Sequence, residues 1–293
     1  MAWAAGGALS TGRSNHSISG NTTNAIAVGG QDSIGTELST TEEYNGTSFS
    51  AGGNTIVDSI NHAAGGSGAT DAIKMGGQRG AESPQDDTEE YNGTSWVAGG
   101  NLATARRTLS GGGSTTDAIC FLGINSLGNN SDVTEEYNGT SWVAGGTANT
   151  ARQAPAGGGT STDAISLGGF TTVNVTEIET YNGTSWTDTT NDLGTARRQV
   201  HGGGITNNAM AAGGLTNGAP GATTMETWDG TSATAETAMT NARSRTYGDG
   251  GSNTNAFTGG GGTDLTLTEE WTVAVAAAYQ PRLGSSLSSP YLY

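Results

Sequence analysis

The feature that most constrains this chain is an internal repeat of 43 to 47 residues. The stretch Thr-Glu-Glu-Tyr-Asn-Gly-Thr-Ser-Trp at residues 88–96 returns in related form five more times. The anchor aromatics of the six copies are Tyr44, Tyr91, Tyr137, Tyr181, Trp228 and Trp271. A period of this length is typical of architectures in which each repeat is one supersecondary unit stabilised by its neighbours. We therefore expect one closed or solenoidal body.

The composition is poor in apolar residues and rich in glycine. Only 33% of the 293 residues are hydrophobic, and 50 are glycine. Without order such a composition indicates disorder. The period favours a folded protein instead, because each unit carries its few large apolar residues at the same positions, where neighbours can bury them. Cys120 is the single cysteine, so the stacking of repeats, and no internal disulfide, must stabilise the fold.

The charge and the distribution of apolar residues argue against nucleic acids and membranes as partners. A formal charge of −16 repels phosphate backbones, so we expect no nucleic-acid binding. No apolar run approaches the roughly 18 residues of a membrane helix, and we expect no membrane insertion. The first residues contain neither a basic segment nor an apolar one, so we expect no classical secretion signal.

Each unit reads as four short strands, a to d, separated by Gly, Asn and Asp. Strand a ends in glycines such as 111–113, which let backbones approach closely around an axis. Strand b follows an Asp or Asn, interpreted as an Asx turn that holds the a–b hairpin. Strand c is the Thr-Glu-Glu-Tyr run, and strand d begins at the next aromatic. Asn-Gly or Asp-Gly between c and d predicts a type I′ turn with positive φ at both residues.

The two ends of the repeat predict a closed ring. Trp3 lies at a strand-d position, whereas Trp271 lies at a strand-c position with no strand d after it. The N-terminal strand can therefore complete the last blade and remove two free edges. The predicted fold is an all-β, six-bladed β-propeller of four-stranded antiparallel blades at 1–273, followed by a short C-terminal tail at 274–293. The predicted blades are 12–53, 59–100, 105–146, 151–190, 196–236, and 242–273 with 1–7.

The order of these signals resembles the Kelch repeat over residues 1–273: Arg, a strand of small residues, a strand ending in Gly-Gly, Glu-x-Tyr, then Trp. The resemblance implies four-stranded propeller blades. The wording Tyr-Asn-Gly-Thr-Ser-Trp also resembles Kelch-like repeats of phage structural and tail-fibre-like proteins, particularly marine ones, which implies a virion. Three positions depart from the pattern: Ser59 stands where other units have Arg, Leu122 where Gly is expected, and Ala233 where Trp is expected.

Charged residues recur at fixed places in the unit. A glutamate lies two residues before every anchor aromatic: Glu42, Glu89, Glu135, Glu179, Glu226 and Glu269. Arginine recurs in five units: Arg13, Arg106, Arg152, Arg197 and Arg243. The period of a strand places each Glu on the same face as its anchor, between blades, where a carboxylate needs a partner. We therefore expect one structural Arg–Glu pair per blade, and no cofactor.

Metal binding and glycosylation are the competing uses of these residues. Asp86 and Asp87 with Glu82, or Asp249 near the channel, are candidate Ca²⁺ ligands, although no calcium-loop motif is present. Four Asn-Gly-Thr sequons coincide with the c–d turn, and the fifth unit has Asp229 there, which favours the turn over glycosylation.

Two alternative functions come from other propellers. A carbohydrate-active or copper-oxidase-like enzyme would need a sialidase-type motif or clustered ligands, but His16, His62 and His201 lie in three units and could meet only at the axis. A Kelch-type protein-interaction adaptor usually has an additional helical domain, which these residues do not contain.

The function favoured by the sequence is that of a non-enzymatic virion protein, either a tail or fibre component or a capsid decoration. Its expected location is the outer surface of the virion. The expected partners are other capsid or tail proteins, further copies of the chain, and a host-surface glycan. Four tail residues are the candidate docking positions: Tyr279, Tyr291, Leu292 and Tyr293.

Overall fold

A computed structural model describes residues 2–81, 83–217, 221–249, 251–261 and 266–272. All regular elements in these ranges are β-strands, arranged as the blades of a six-bladed propeller. The predicted fold class is therefore confirmed. No helix that could span a membrane is found in the described ranges.

The strands follow the predicted units, and every one lies inside a predicted blade range. The chain opens with β1 (Ala2–Ala5). Blade 1 contains β2 (His16–Asn21), β3 (Asn24–Val28), β4 (Thr41–Tyr44) and β5 (Phe49–Ala51). Blade 2 contains β6 (Ala63–Gly68), β7 (Asp71–Arg79), β8 (Ser83–Tyr91) and β9 (Trp96–Ala98). Blade 3 contains β10 (Arg106–Arg107), β11 (Ser110–Ser114), β12 (Asp117–Phe121), β13 (Ile124–Asn125), β14 (Thr134–Tyr137) and β15 (Trp142–Ala144).

The second half of the ring continues in the same order. Blade 4 contains β16 (Ala156–Thr160), β17 (Asp163–Phe170), β18 (Asn174–Tyr181) and β19 (Trp186–Asp188). Blade 5 contains β20 (His201–Ile205), β21 (Asn208–Ala212), β22 (Met225–Trp228) and β23 (Ala233–Ala235). Blade 6 contains β24 (Thr246–Tyr247), β25 (Asn255–Gly259) and β26 (Thr268–Thr272). Neighbouring a, b, c and d strands pair antiparallel in blades 1 to 5, while β10 and β13 extend the sheet of blade 2.

The N-terminal strand closes the ring. β1 pairs antiparallel with β26, and Trp3 lies opposite Trp271 in the register. Their ring centroids are 5.5 Å apart, close to the 4.9 Å of Tyr137 and Trp142 in blade 3. The first strand thus provides the aromatic contact that strand d makes in blades 1 to 4.

The turn between strands c and d differs from the predicted type I′ turn. In blade 1 the last pair is Tyr44 with Phe49, so the loop has four residues, and only Gly46 has positive φ. The Asn45 side chain explains the longer loop, because its Oδ1 accepts the N–H groups of Thr47 and Ser48, both at 3.0 Å. The Asn-Gly pair therefore forms an Asx-capped loop.

A closed ring of backbone hydrogen bonds surrounds the axis at the start of the inner strands. Each blade contributes one non-glycine residue with φ between 50° and 63°: Asn15, Asn61, Thr108, Ala154, Gln199 and Arg245. The N–H of each donates to the carbonyl of the preceding one, with the first donating to the sixth, at 2.7 to 3.3 Å. Left-handed backbone is unfavourable for such residues. The closed hydrogen-bond ring offsets this strain.

Blade 6 departs from the predicted four-stranded blade at its inner edge. Only Gly251 bridges to Ala256 there, whereas β11 pairs with β12 over five residues in blade 3. β24 instead pairs parallel with β2 of blade 1. Blade 6 has one extra residue in this segment, because Gly251 follows its arginine by eight positions, against seven for Gly113 in blade 3. An added residue displaces a strand from its ladder.

Candidate functional site

The recurring glutamates and arginines form buried ion pairs within five blades. The nitrogen–oxygen distances are 2.7 Å for Arg13–Glu42, 2.9 Å for Arg106–Glu135, 2.8 Å for Arg197–Glu226 and 3.1 Å for Arg243–Glu269, and Arg152 pairs with Glu179. Each carboxylate also accepts backbone N–H groups of the d–a loop, as Glu135 does from Ala103 and Thr104. A buried charge is tolerated only when paired and hydrogen-bonded. These residues therefore hold the loop between blades.

Blade 2 replaces the missing arginine with the only lysine of the chain. Ser59 occupies the arginine position, and Lys74 reaches Glu89 from strand b at 2.5 Å. The Lys74 ammonium also binds Asp87 at 2.9 Å and the carbonyl of Val57 at 3.1 Å. The glutamate thus keeps a cationic partner although the partner comes from another strand. Asp87, a candidate calcium ligand, is engaged in this ion pair, and Glu82 lies outside the described residues.

The residue just before each anchor connects neighbouring blades. Glu90 accepts the hydroxyl of Tyr137 and Glu136 accepts that of Tyr181, both at 2.5 Å. Glu43 with Tyr91, and Glu270 with Tyr44, make the same contact, the latter across the ring closure. Burial, and then the bond to Glu136, raises the pKa of Tyr181 to about 12, so the phenol remains a donor.

Where the next anchor is tryptophan, this carboxylate is absent. Thr180 precedes the blade of Trp228, and Thr227 precedes the blade of Trp271. Both indole N–H groups instead donate to carbonyls of their own blades, at 2.9 and 3.0 Å. The residue before one anchor therefore matches the identity of the next anchor at all six interfaces, including the one that closes the ring.

A second ring of contacts corrects the interpretation of the Asx residues before strand b. The side-chain oxygen does not hold its own hairpin, but accepts a backbone N–H from the a–b turn of the following blade, at 2.9 to 3.3 Å. The six pairs are Asn24–Ala69, Asp71–Thr115, Asp117–Ser161, Asp163–Thr206, Asn208–Asn253 and Asn255–Thr22. Asp and Asn share this accepting oxygen, which explains why they alternate.

These a–b turns surround a cavity of about 650 Å³ on the axis, called here the axial cup. All six blades contribute to its lining. The lining carboxylates and amides are Asp71, Asp117, Asp249, Asn21, Asn208 and Asn255. None of the described lining residues is cationic. The axial cup is a concave polar surface to which all blades contribute, and it is the candidate surface for contact with a ligand.

Asp249 forms the floor of the axial cup and is half-buried. Its Oδ1 accepts the N–H of Gly204 at 3.1 Å. Burial raises the pKa of Asp249 to about 6, and the N–H groups of Gly204, Gly159 and Gly251 partly oppose that shift. A Cβ built on Gly203 would lie 1.9 Å from Asp249 Oδ1, so glycine is required there.

The three histidines are buried and neutral. Burial lowers the pKa of His62 to about 3 and that of His201 to about 4, and it lowers the pKa of His16 well below its usual value. His201 Nε2 lies 2.8 Å from the carbonyl oxygen of Phe257, at the edge of β25 that lacks a regular inner strand. Within the described residues, no three His, Cys, Asp or Glu side chains are grouped to hold a metal ion.

Cys120 lies beside an ion pair and away from the axial cup. Its Sγ is 3.0 Å from Nη2 of Arg106, and burial raises the pKa of the thiol to about 12. Ser166 occupies the same position in blade 4 and accepts Arg152 Nη2 at 2.9 Å. The side chain at this position therefore supports the arginine. The docking candidates Tyr279, Tyr291, Leu292 and Tyr293 lie outside the described residues.

The chain was compared with models of protein families and with curated proteins. No protein-family model matches it, and no curated protein matches it. The functional proposal therefore depends on the geometry and on the resemblance of the repeat.

Two features of the charged residues were not predicted from the sequence. The first is the match between the residue before an anchor, Glu or Thr, and the identity of the next anchor. The sequence shows this match when each unit is compared with the unit that follows it. The role of Lys74 has a similar signal, since the one unit without arginine contains the one lysine. Asp249 was predicted to lie near the channel, and the extra residue of blade 6 is the further signal for its place on the axis itself.

Proposed function

We propose that this chain is a non-catalytic, Kelch-like propeller that acts as a structural component on the outer surface of a bacteriophage virion, as a tail or fibre component or a capsid decoration. The observation that carries the proposal is the use of the recurring charged and aromatic side chains. Arg–Glu pairs, Glu–Tyr pairs and Asx contacts all connect strands or blades. A rigid ring of this kind suits display and assembly.

The virion assignment is supported by the amino-acid sequence of the repeat. Tyr-Asn-Gly-Thr-Ser-Trp, Thr-Ala-Arg and Gly-Gly-Gly resemble the Kelch-like repeats of phage structural proteins. Mass spectrometry and immunogold microscopy of purified particles test this assignment. We expect the protein at stoichiometric amounts on the tail or capsid surface. Its absence from particles whose known structural proteins are detected would contradict the proposal.

Residues 274–293 are proposed to dock the propeller to a neighbouring subunit, through Tyr279, Tyr291, Leu292 and Tyr293. The test compares binding of the full chain, of a chain lacking 274–293, and of the Tyr291→Ala/Leu292→Ala/Tyr293→Ala variant to particles that lack the protein. We expect both variants to fold, by thermal unfolding, and to lose binding. Undiminished binding of the shortened chain would exclude this docking role.

A host-surface glycan is the second proposed ligand, and the axial cup favours it. The cup offers carboxylates, amides and hydroxyls from a rim held by the Asx contacts, which suits hydrogen bonding to sugar hydroxyls. A glycan array with the wild type and with Asn208→Ala/Asn255→Ala tests the idea. Binding that depends on these two amides supports an adhesin, and no binding by the wild type leaves assembly as the role.

Enzyme assays test the non-catalytic assignment directly. We expect no peroxide release after loading with copper and no sialidase activity. A turnover that disappears in His201→Ala, with folding retained, would establish the enzyme alternative.

A further inference from the structure

Asp249 forms hydrogen bonds with three other blades of the ring. Its N–H donates to Ala64 of blade 2 at 3.1 Å, and its carbonyl accepts the N–H of Gly20 of blade 1 at 3.2 Å. Its carboxylate accepts the N–H of Gly204 of blade 5. Asp249 itself belongs to blade 6.

The walls around the carboxylate are made of glycine. A Cβ built on Gly112, Gly158 or Gly203, in blades 3, 4 and 5, would lie 1.9 to 2.9 Å from atoms of the Asp249 carboxyl group. The absence of side chains here creates a recess of the size of one carboxyl group. Backbone N–H groups, including that of Gly159, point into it. Convergent N–H groups of this kind donate to the oxygens of a carboxyl group. Burial at the same place raises the pKa of Asp249, so the recess favours the protonated form.

The extra residue in blade 6 explains how the carboxyl group reaches the recess. In the other blades the inner strand pairs with strand b, and glycine or serine stands at the equivalent position. In blade 6 the segment 246–249 leaves β25 and pairs with β2, which carries Asp249 to the axis. His201 then meets the carbonyl of Phe257 that this departure leaves at the edge of β25.

We propose that the axis contains a carboxyl-binding site, formed by glycine N–H groups of blades 4 and 5, that Asp249 fills in this protein and that a small monocarboxylic acid fills when the side chain is removed. Acetate is the matching probe, since Asp249→Gly removes a CH2–COO⁻ group and acetate supplies the same heavy atoms. The axial cup provides the entry path. The site closes the centre of the ring, a role beyond the proposed display function and independent of it.

The experiment measures thermal unfolding of Asp249→Gly at about pH 5, where the protonated and ionised forms of acetate are both present. The buffers contain sodium acetate, sodium propionate or sodium chloride at equal ionic strength. We expect a lower midpoint than that of the wild type, raised by acetate in a saturating manner and less by propionate, whose additional carbon meets the cup floor. The wild type and the surface control Asp132→Gly should respond equally to all three salts. An equal response of Asp249→Gly to acetate and chloride would overturn the proposal.

A second measurement locates the site. In proton–nitrogen NMR spectra of Asp249→Gly, acetate should shift the amide signals of Gly159 and Gly204 while leaving exposed glycines such as Gly35 unchanged. Uniform shifts, or none, would contradict the site. If Asp249→Gly does not stay folded without acetate, its refolding yield from urea replaces the midpoint, and equal yields in acetate and chloride would likewise contradict the site. Asp249→Asn, which keeps an accepting oxygen, should fold and ignore acetate.

Discussion

Blades 3 and 6 have the same outer layer but differ at the axis. Arg106–Glu135 and Arg243–Glu269 are equivalent buried pairs, and both blades stack two aromatics between strands c and d. At the inner edge, blade 3 has a full strand, whereas blade 6 sends the corresponding segment to the axis. The comparison indicates that the outer layer defines a blade, and that the inner strand of one blade is free to take another role.

The largest expected effect tests whether the two outer layers are equivalent. Arg106→Met and Arg243→Met each leave a buried glutamate without its cation, which destabilises by about 3–5 kcal/mol. Urea unfolding should give losses for the two variants that agree to within about 1 kcal/mol. A much smaller loss for Arg243→Met would show that blade 6 is loose at its outer layer as well.

Blade 2 extends the comparison, because its cation comes from another strand. Lys74→Ala should cost about 3 kcal/mol by leaving Glu89 unpaired. Adding Ser59→Arg rebuilds the arrangement of blade 1, where Arg13 faces Glu42 and Ala27 stands at the lysine position. We expect the double variant to recover more than half of the lost stability. No recovery would mean that the glutamate needs the lysine itself.

The tyrosine contacts test whether the closing interface equals an internal one. Tyr44→Phe acts between blades 6 and 1, and Tyr137→Phe acts between blades 2 and 3. Each removes the donor to a partly buried carboxylate, which costs about 2 kcal/mol. The double variant Tyr137→Trp/Glu90→Thr recreates the interface of Trp228, and we expect it to be more stable than Tyr137→Phe. Chemical unfolding of the wild type and the three variants measures both effects. Unequal losses for Tyr44→Phe and Tyr137→Phe would show that the closing interface differs from an internal one.

Asp249, which distinguishes blade 6 from blade 3 at the axis, makes a pH-dependent contribution to the free energy of unfolding. Its folded pKa of about 6 lies above that of an unfolded aspartate, so folding favours the protonated form. Its contribution to stability is therefore complete below about pH 4 and is lost as the pH rises through about 6. Asp249→Asn removes this dependence and should be about 1–2 kcal/mol more stable than the wild type at pH 7.

The difference between the two stability–pH profiles is the quantity to measure. The buried histidines act in the opposite direction, because their lowered pKa values remove stability as the pH falls below about 6.5. They are present in both proteins and cancel in the difference. If the difference in the free energy of unfolding between the wild type and Asp249→Asn does not change between pH 4 and 7, Asp249 is not desolvated at the axis.

The smallest expected effect lies in blade 3 itself. Cys120→Ser reproduces blade 4, where Ser166 accepts Arg152. We expect a change in the free energy of unfolding below about 0.5 kcal/mol, since the arginine keeps an acceptor. Cys120→Val, which removes that acceptor at nearly the same volume, is the contrasting variant and should destabilise more. Equal losses would place the role of Cys120 in its packing.

Local rules predicted some parts of this protein and failed at others. The Asn-Gly signal correctly located the c–d connection, but the Asn45 side chain competes for the backbone N–H groups and makes the loop longer than type I′. The Asx residues were correctly read as acceptors, yet their donors belong to the next blade. In both cases the residue type indicated the hydrogen bond, and the ring decided which N–H was available.

The amino-acid sequence by itself determined the number of blades, their boundaries and the closure by the N-terminal strand, because a fixed period with Trp3 and Trp271 at complementary strand positions allows few other arrangements. Only the tertiary structure decided what happens on the axis. The ring of left-handed residues, the shape of the axial cup and the hydrogen bonds of Asp249 all arise where six inner strands meet, and the space at that meeting point depends on all blades together.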